Sequence, residues 1–138
     1  MVTDRLTDGR RIAQLLSSEI TGDKEDLSAL SVTDADPDVE PTADGALAYR
    51  ATLNADTPAH QVGVADIFIQ SDRVRVEFRV APDVAADAGT TANLRVRPKA
   101  VEPPRTIVFV EDGAQVKWCM PVFEAVVDAI DATVANSS

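Results

Sequence analysis

From Arg73 to Val80 the chain alternates without a fault, with Val74, Val76, Phe78 and Val80 set against Arg73, Arg75, Glu77 and Arg79. A period of two is the mark of a β-strand with one face in an apolar core and the other in water. On a helix the same residues would scatter round the axis. This segment therefore demands a sheet with one covered face and one charged face. Apolar surface from elsewhere in the chain must do the covering.

The neighbouring segments extend the sheet. Val62 to Ile69 reads as a strand joined to Val74–Val80 by a turn at Gln70-Ser71-Asp72. Ala46 to Leu53 follows the turn signal Asp44-Gly45 and puts Leu47, Tyr49, Ala51 and Leu53 on one face. Leu27 to Thr33 is a shorter strand candidate. Thr106 to Glu111, Asp112-Gly113 and Ala114 to Cys119 read as a hairpin, because Asp-Gly supplies the positive φ of a two-residue turn. Ile107-Val108-Phe109-Val110 is apolar on both faces and suits a central strand.

Two helices are expected to cover the sheet. Leu6, Ile12, Leu15, Leu16 and Ile20 recur at mostly three- and four-residue spacings, with Thr3 or Thr7 as N-cap and Thr21-Gly22 as the stop. A last helix is expected from Pro121, with Val122, Phe123, Val126, Val127, Ile130 and Val134 as its buried stripe. Two stretches read as irregular. One is the acidic, Pro-containing connector 34–45. The other is the Pro-rich segment 82–105, where Asp83–Ala88 suggests a turn or two of helix before Gly89 and Asn93–Arg97 a short strand. The expectation is one α+β domain over 1–138, a mostly antiparallel sheet of about five to seven strands with N- and C-terminal helices packed on it.

Composition narrows the setting. The 138 residues carry 23 Asp and Glu against 13 Lys and Arg, a net charge of -10. Asp outnumbers Glu 16 to 7 and Arg outnumbers Lys 10 to 3, while Ala and Val supply 39 of the apolar residues. This pattern points to a salt-rich cytoplasm. At molar salt the Debye length falls to roughly 3 Å, which screens the repulsion among surface carboxylates. At 45% hydrophobic the chain is too apolar for a disordered acidic tail. The longest run near the C-terminus without a charged or polar side chain, Trp118 to Phe123, is far too short to span a bilayer. No apolar core follows Arg10-Arg11 to make an export signal. One cysteine, Cys119, allows no internal disulfide.

The candidates for chemistry are few. Asp34, Asp36 and Asp38 open a calcium-loop pattern, but Val39 stands where the sharp turn needs Gly and Gly45 where the bidentate Glu belongs. They are the only metal-ligand candidates, and the expectation is no metal. Cys119, two residues before Pro121, would gain reactivity from a helix N-terminus and would need His60, the chain's one histidine, as its base. The competing reading is a small apolar residue packed beside Trp118 and Met120. No phosphate-binding glycine loop, nucleophile elbow or zinc spacing is present, and no cofactor is expected.

Charge is distributed unevenly. Residues 1–72 carry a net -9 and residues 106–138 a net -4, whereas residues 73–105 carry +3. The island comprises Arg73, Arg75, Arg79, Arg95, Arg97, Lys99 and Arg105. Three readings compete. The cations pair with the chain's own acids, they meet an acidic patch on a protein partner or a second copy, or they contact phosphates. Nucleic acid is the poorest fit, since the overall field repels polyanions and the stripe has no interleaved aromatics. The leading expectation is a non-enzymatic, cytoplasmic interaction module away from membranes, homodimeric in one form. Nucleic-acid or nucleotide binding through 73–105 is the first alternative, and an enzyme using Cys119 the second.

Overall fold

The computed structural model describes residues 8–22, 27, 29–53 and 62–136, with side chains described as far as Ile130. Its elements run α1 (Gly9–Gly22), β1 (Leu30–Thr33), β2 (Ala46–Leu53), β3 (Val62–Ile69), β4 (Val74–Phe78), α2 (Pro82–Thr91), β5 (Arg95–Lys99), β6 (Arg105–Val110) and α3 (Gly113–Asn136). The six strands form one sheet in the order β1-β2-β3-β4-β6-β5. Every neighbouring pair is antiparallel. The fold is α+β, with helices at both ends of the described chain packed on the sheet.

The first four strands form a meander. The chain then leaves the sheet through α2, lays β5 at the edge, and returns to insert β6 between β4 and β5. Both β4 and β5 run antiparallel to β6, so they are parallel to each other. A parallel pair needs a crossover, and α2 supplies it.

The three helices make one layer, with α3 touching both α1 and α2. Val74, Val76 and Phe78 point into that layer and are fully buried, and the Phe78 and Phe123 rings sit 5.0 Å apart. On α1, Ile12, Ala13, Leu16 and Ile20 face the core. Tyr49 crosses the layer and donates its hydroxyl hydrogen bond to the Ala13 carbonyl at 2.7 Å, so its one buried polar atom is satisfied. Asp8 caps α1, its Oδ1 accepting from the Arg11 N–H at 3.2 Å. Thr3 and Thr7 lie outside the described residues. A β-carbon on Gly9 would overlap the Gln70 carbonyl oxygen, so the first turn of α1 rests directly on the β3–β4 turn.

Two sequence expectations are corrected here. Ala114–Cys119 is the start of α3 and not a strand. Asp112 caps that helix, its Oδ1 accepting from the Gln115 N–H at 3.0 Å, while Gln115 Oε1 accepts from the Glu111 N–H at 2.8 Å. Reciprocal bonding of this kind ties off two otherwise orphaned donors. Pro121 therefore stands inside the helix and not at its start. The carbonyl it leaves without a helical N–H belongs to exposed Lys117, where water can serve. The segment 82–105 is also more regular than expected, holding all of α2 and β5. Gly89 does not stop α2, which continues to Thr91. A β-carbon there would lie 2.7 Å from Val96 Cγ2, so the glycine lets α2 lie close on the sheet.

Candidate functional site on the open face of the sheet

Cross-strand partners in an antiparallel sheet share a face. The register therefore assembles the face turned away from the helices. One row runs Phe68, Arg75, Phe109, Arg95 across β3, β4, β6 and β5. The next runs Arg50, Asp66, Glu77, Ile107, Arg97 from β2 to β5. Beyond it Arg105 faces Lys99. The basic island predicted from sequence is thus brought together from three strands, largely because the crossover through α2 returns β5 and β6 beside β4.

Two acids anchor this face. Glu77 is fully buried and Asp66 nearly so. Glu77 Oε1 lies 3.0 Å from Lys99 Nζ and 3.3 Å from Arg105 Nη1, and its Oε2 lies 2.9 Å from Arg75 Nη2. Asp66 Oδ1 lies 3.2 Å from Arg50 Nε and 3.8 Å from Arg79 Nη1, and its Oδ2 lies 3.4 Å from Arg105 Nη1. Arg50 also reaches Asp34 at the rim, 3.3 Å away. Five cations thus surround three carboxylates. A buried acid without a partner would take up a proton or destabilise the fold, so these contacts are what allow Asp66 and Glu77 to sit in a sheet.

The remaining cations are held differently. Arg73 bridges Asp72 at 3.2 Å and Glu111 at 3.0 Å. Its hydrogen bond holds the Asp72 carboxyl below the usual carboxylate range. Arg95 meets Glu111 only at 3.7 Å and stays largely exposed. Arg97 is exposed and has no charged partner among the described residues. The Arg75 guanidinium also lies 4.9 Å over the Phe68 ring, a cation–π contact. The stripe therefore does have aromatic neighbours. They come from β3 and β6, distant in sequence, which is why the stripe's own strand does not reveal them.

The other sequence candidates fall elsewhere. Cys119 is fully buried in α3, and desolvation pushes its thiol up to about 12. That is the opposite of thiolate activation. His60 lies outside the described residues. Asp36 Oδ1 accepts from the Asp38 N–H at 3.0 Å in a local turn, while Asp34 is drawn to Arg50. Among the described residues no three His, Cys, Asp or Glu come together to hold a metal ion. No helix of the described residues is long and apolar enough to cross a membrane.

Sequence reasoning missed Arg50 and Asp66. Each is a lone charge inside an otherwise apolar strand, and a charge in such a place needs a partner. That signal was available.

Residues 1–138 match the model of a family of unknown function, DUF7993. The chain belongs to this family. No curated protein and no solved structure matches it.

Proposed function

We propose that this protein is a non-enzymatic interaction module whose open sheet face receives an acidic polypeptide surface. The observation that supports this reading is the surplus of cations on that face. Among the described residues five cations share three carboxylates and Arg97 adds a charge with no acidic partner, in a chain whose net charge is -10. Phe68 and Phe109, both half-buried, lie among the cations and give the face an apolar component. The edge strand β5 carries Arg95, Arg97, Lys99 and Pro98, a composition that resists edge-to-edge pairing. A partner or a second copy would therefore meet the face rather than the β5 edge. The setting is a salt-rich cytoplasm, as the composition suggests.

The test is calorimetric titration with a poly-glutamate peptide, alongside light scattering coupled to size exclusion, at the lowest salt that keeps the fold. Arg95→Glu with Arg97→Glu is the informative variant, because neither residue holds a buried acid. Loss of peptide binding with an unchanged melting profile supports the reading. A monomer that binds no acidic polypeptide overturns it.

One observation favours a second reading. Phe68 and Phe109 flank Arg75 in register on an exposed antiparallel face, a geometry suited to stacking unpaired bases. A single-stranded oligonucleotide that outcompetes the acidic peptide, and that Phe109→Ala weakens, would select it.

A further inference from the structure

We infer that a notch at one corner of this face is an oxyanion site that takes the carboxylate tip of a partner's acidic side chain. The inference rests on the interface reading above and deepens it. The notch lies where the start of β3, the end of β4 and the connection into β6 meet. It is lined by Val62, Gly63, Arg79, Val80, Pro103 and Arg105 and encloses about 320 Å³. Two guanidiniums line it, and no carboxylate of the described residues does.

The donors there are unspent. Arg79 has one acidic neighbour among the described residues, Asp66 at 3.8 Å, which is beyond hydrogen-bond distance. Its forked set of N–H groups is therefore free to meet a ligand. Among the described residues Arg105 commits only Nη1, at 3.3 Å to Glu77 and 3.4 Å to Asp66, and keeps Nη2 and Nε. The hydrogen bonds that Asp66 accepts among the described residues come from Arg50 and Arg105 and not from Arg79.

Both guanidiniums are also positioned in advance. The two buried acids hold Arg105 from beneath. Arg79 lies along β3 at Gly63, where a β-carbon would stand 3.0 Å from its Nη1. Preorganised donors lose little entropy on binding. Val62, Val80 and Pro103 wall the notch with apolar groups, which strengthens charge-assisted hydrogen bonds there. The volume equals that of roughly ten waters. That is too large for one bare ion, and it suits an oxyanion carried on a short aliphatic stem.

The experiment uses the full chain, with poly-glutamate as the polymeric probe and acetate and inorganic phosphate as small ones. Side-chain Nε–Hε signals are followed by NMR and affinities by calorimetry. Acetate is expected to shift the Arg79 and Arg105 signals. Arg79→Gln should weaken the peptide about ten-fold, while Arg97→Gln, outside the notch, should weaken it less than about two-fold. The Arg79 side chain makes no hydrogen bond with the described residues, and its backbone bond to Val64 does not depend on the side chain, so an unchanged melting curve is expected for R79Q. Equal effects of R79Q and R97Q, or peptide binding untouched by R79Q, would overturn the notch and leave the interface reading standing. No peptide binding at all would overturn both. Phosphate bound more tightly than acetate by the same two arginines would overturn the carboxylate assignment.

Discussion

Glu77 is the residue on which the charged face depends, and Glu77→Gln isolates its charge while keeping its shape. The carboxylate is wholly buried, with cations at 2.9, 3.0 and 3.3 Å. At an effective dielectric of about 20, one such contact at 3 Å is worth about 5 kcal/mol before desolvation is counted. Desolvation cancels much of that. Breaking a buried pair by removing one partner costs about 3–5 kcal/mol in practice. Here Arg75, Arg105 and Lys99 keep 21%, 25% and 37% of their side-chain surface exposed, so they can turn partly to water. The lower end applies, about 3 kcal/mol. For a chain of this size each kcal/mol moves Tm by about 3–4 °C, so E77Q should melt about 10 °C lower. Urea unfolding checks the same figure, with an unchanged m-value showing that the transition is the same one. Glu40→Gln is the contrast. That residue pairs with Arg10 at 3.3 Å but is 83% exposed, and its loss should stay within about 0.5 kcal/mol. If E77Q costs less than about 1 kcal/mol, Glu77 does not anchor the cations and the reasoning about this face fails.

Asp112→Ala should cost about 1 kcal/mol by removing the cap of α3, read as a drop in urea midpoint. Gly89→Ala should cost about 2 kcal/mol, because its β-carbon would press on Val96 at 2.7 Å in a packed layer. Cys119 predicts a pH effect of definite sign. The unfolded thiol titrates near 9.0 and the folded one at about 12. Above about pH 9 the unfolded chain releases a proton that the folded chain keeps, so stability falls by about 1.4 kcal/mol per pH unit. Urea melts should therefore show about 1.4 kcal/mol lost in all between about pH 8 and about pH 10, and Cys119→Ser should remove most of it, the remainder near pH 10 coming from the buried Tyr49 hydroxyl.

The sheet was legible wherever one face is apolar and the other charged. The alternation in β4 specifies its two faces outright, whereas bulges break the period between β2 and β3, so Leu47 pairs with Phe68 and does not share the face expected with Tyr49, which pairs with Ile67. The start of α3 was misread because Asp112-Gly113-Ala114-Gln115 carries two signals at once. Asp-Gly suits a tight hairpin turn, and Asp-x-x-Gln suits a helix cap. The residues C-terminal to Gln115 break the tie. Val116, Cys119, Phe123 and Val127 keep three- and four-residue steps and are buried, which no strand after the turn could match. Gly89 was misread in the same way, since a glycine that stops a helix and one that lets a helix lie close look alike in sequence. The site was half legible. The cations could be named and Glu77 stands among them in β4, but Asp66 and Asp34 lie on other segments and reach the cations only through strand register.

Summing charge along the chain makes residues 73–105 look like an unneutralised island. Summing it in space gives a different account. Two buried acids take the inner nitrogens of Arg75, Lys99 and Arg105, and the outer donors of Arg79, Arg95 and Arg97 remain. These two sets respond differently to salt. At molar ionic strength attraction between exposed charges is lost beyond roughly 3 Å, while buried pairs are screened much less. The inner set would therefore hold the face rigid in strong salt. The outer set would attract nothing from a distance and would act only on groups already in contact. A partner recognised under those conditions has to combine direct carboxylate–guanidinium hydrogen bonds with apolar contact, and half-buried Phe109, between the arginines of β4 and β5, is placed to provide the second. Recognition of that kind predicts binding that weakens only gently between moderate and molar salt. A steep loss over that range would instead mean that the outer arginines act as a diffuse field, and the argument for a shaped acidic partner would fall.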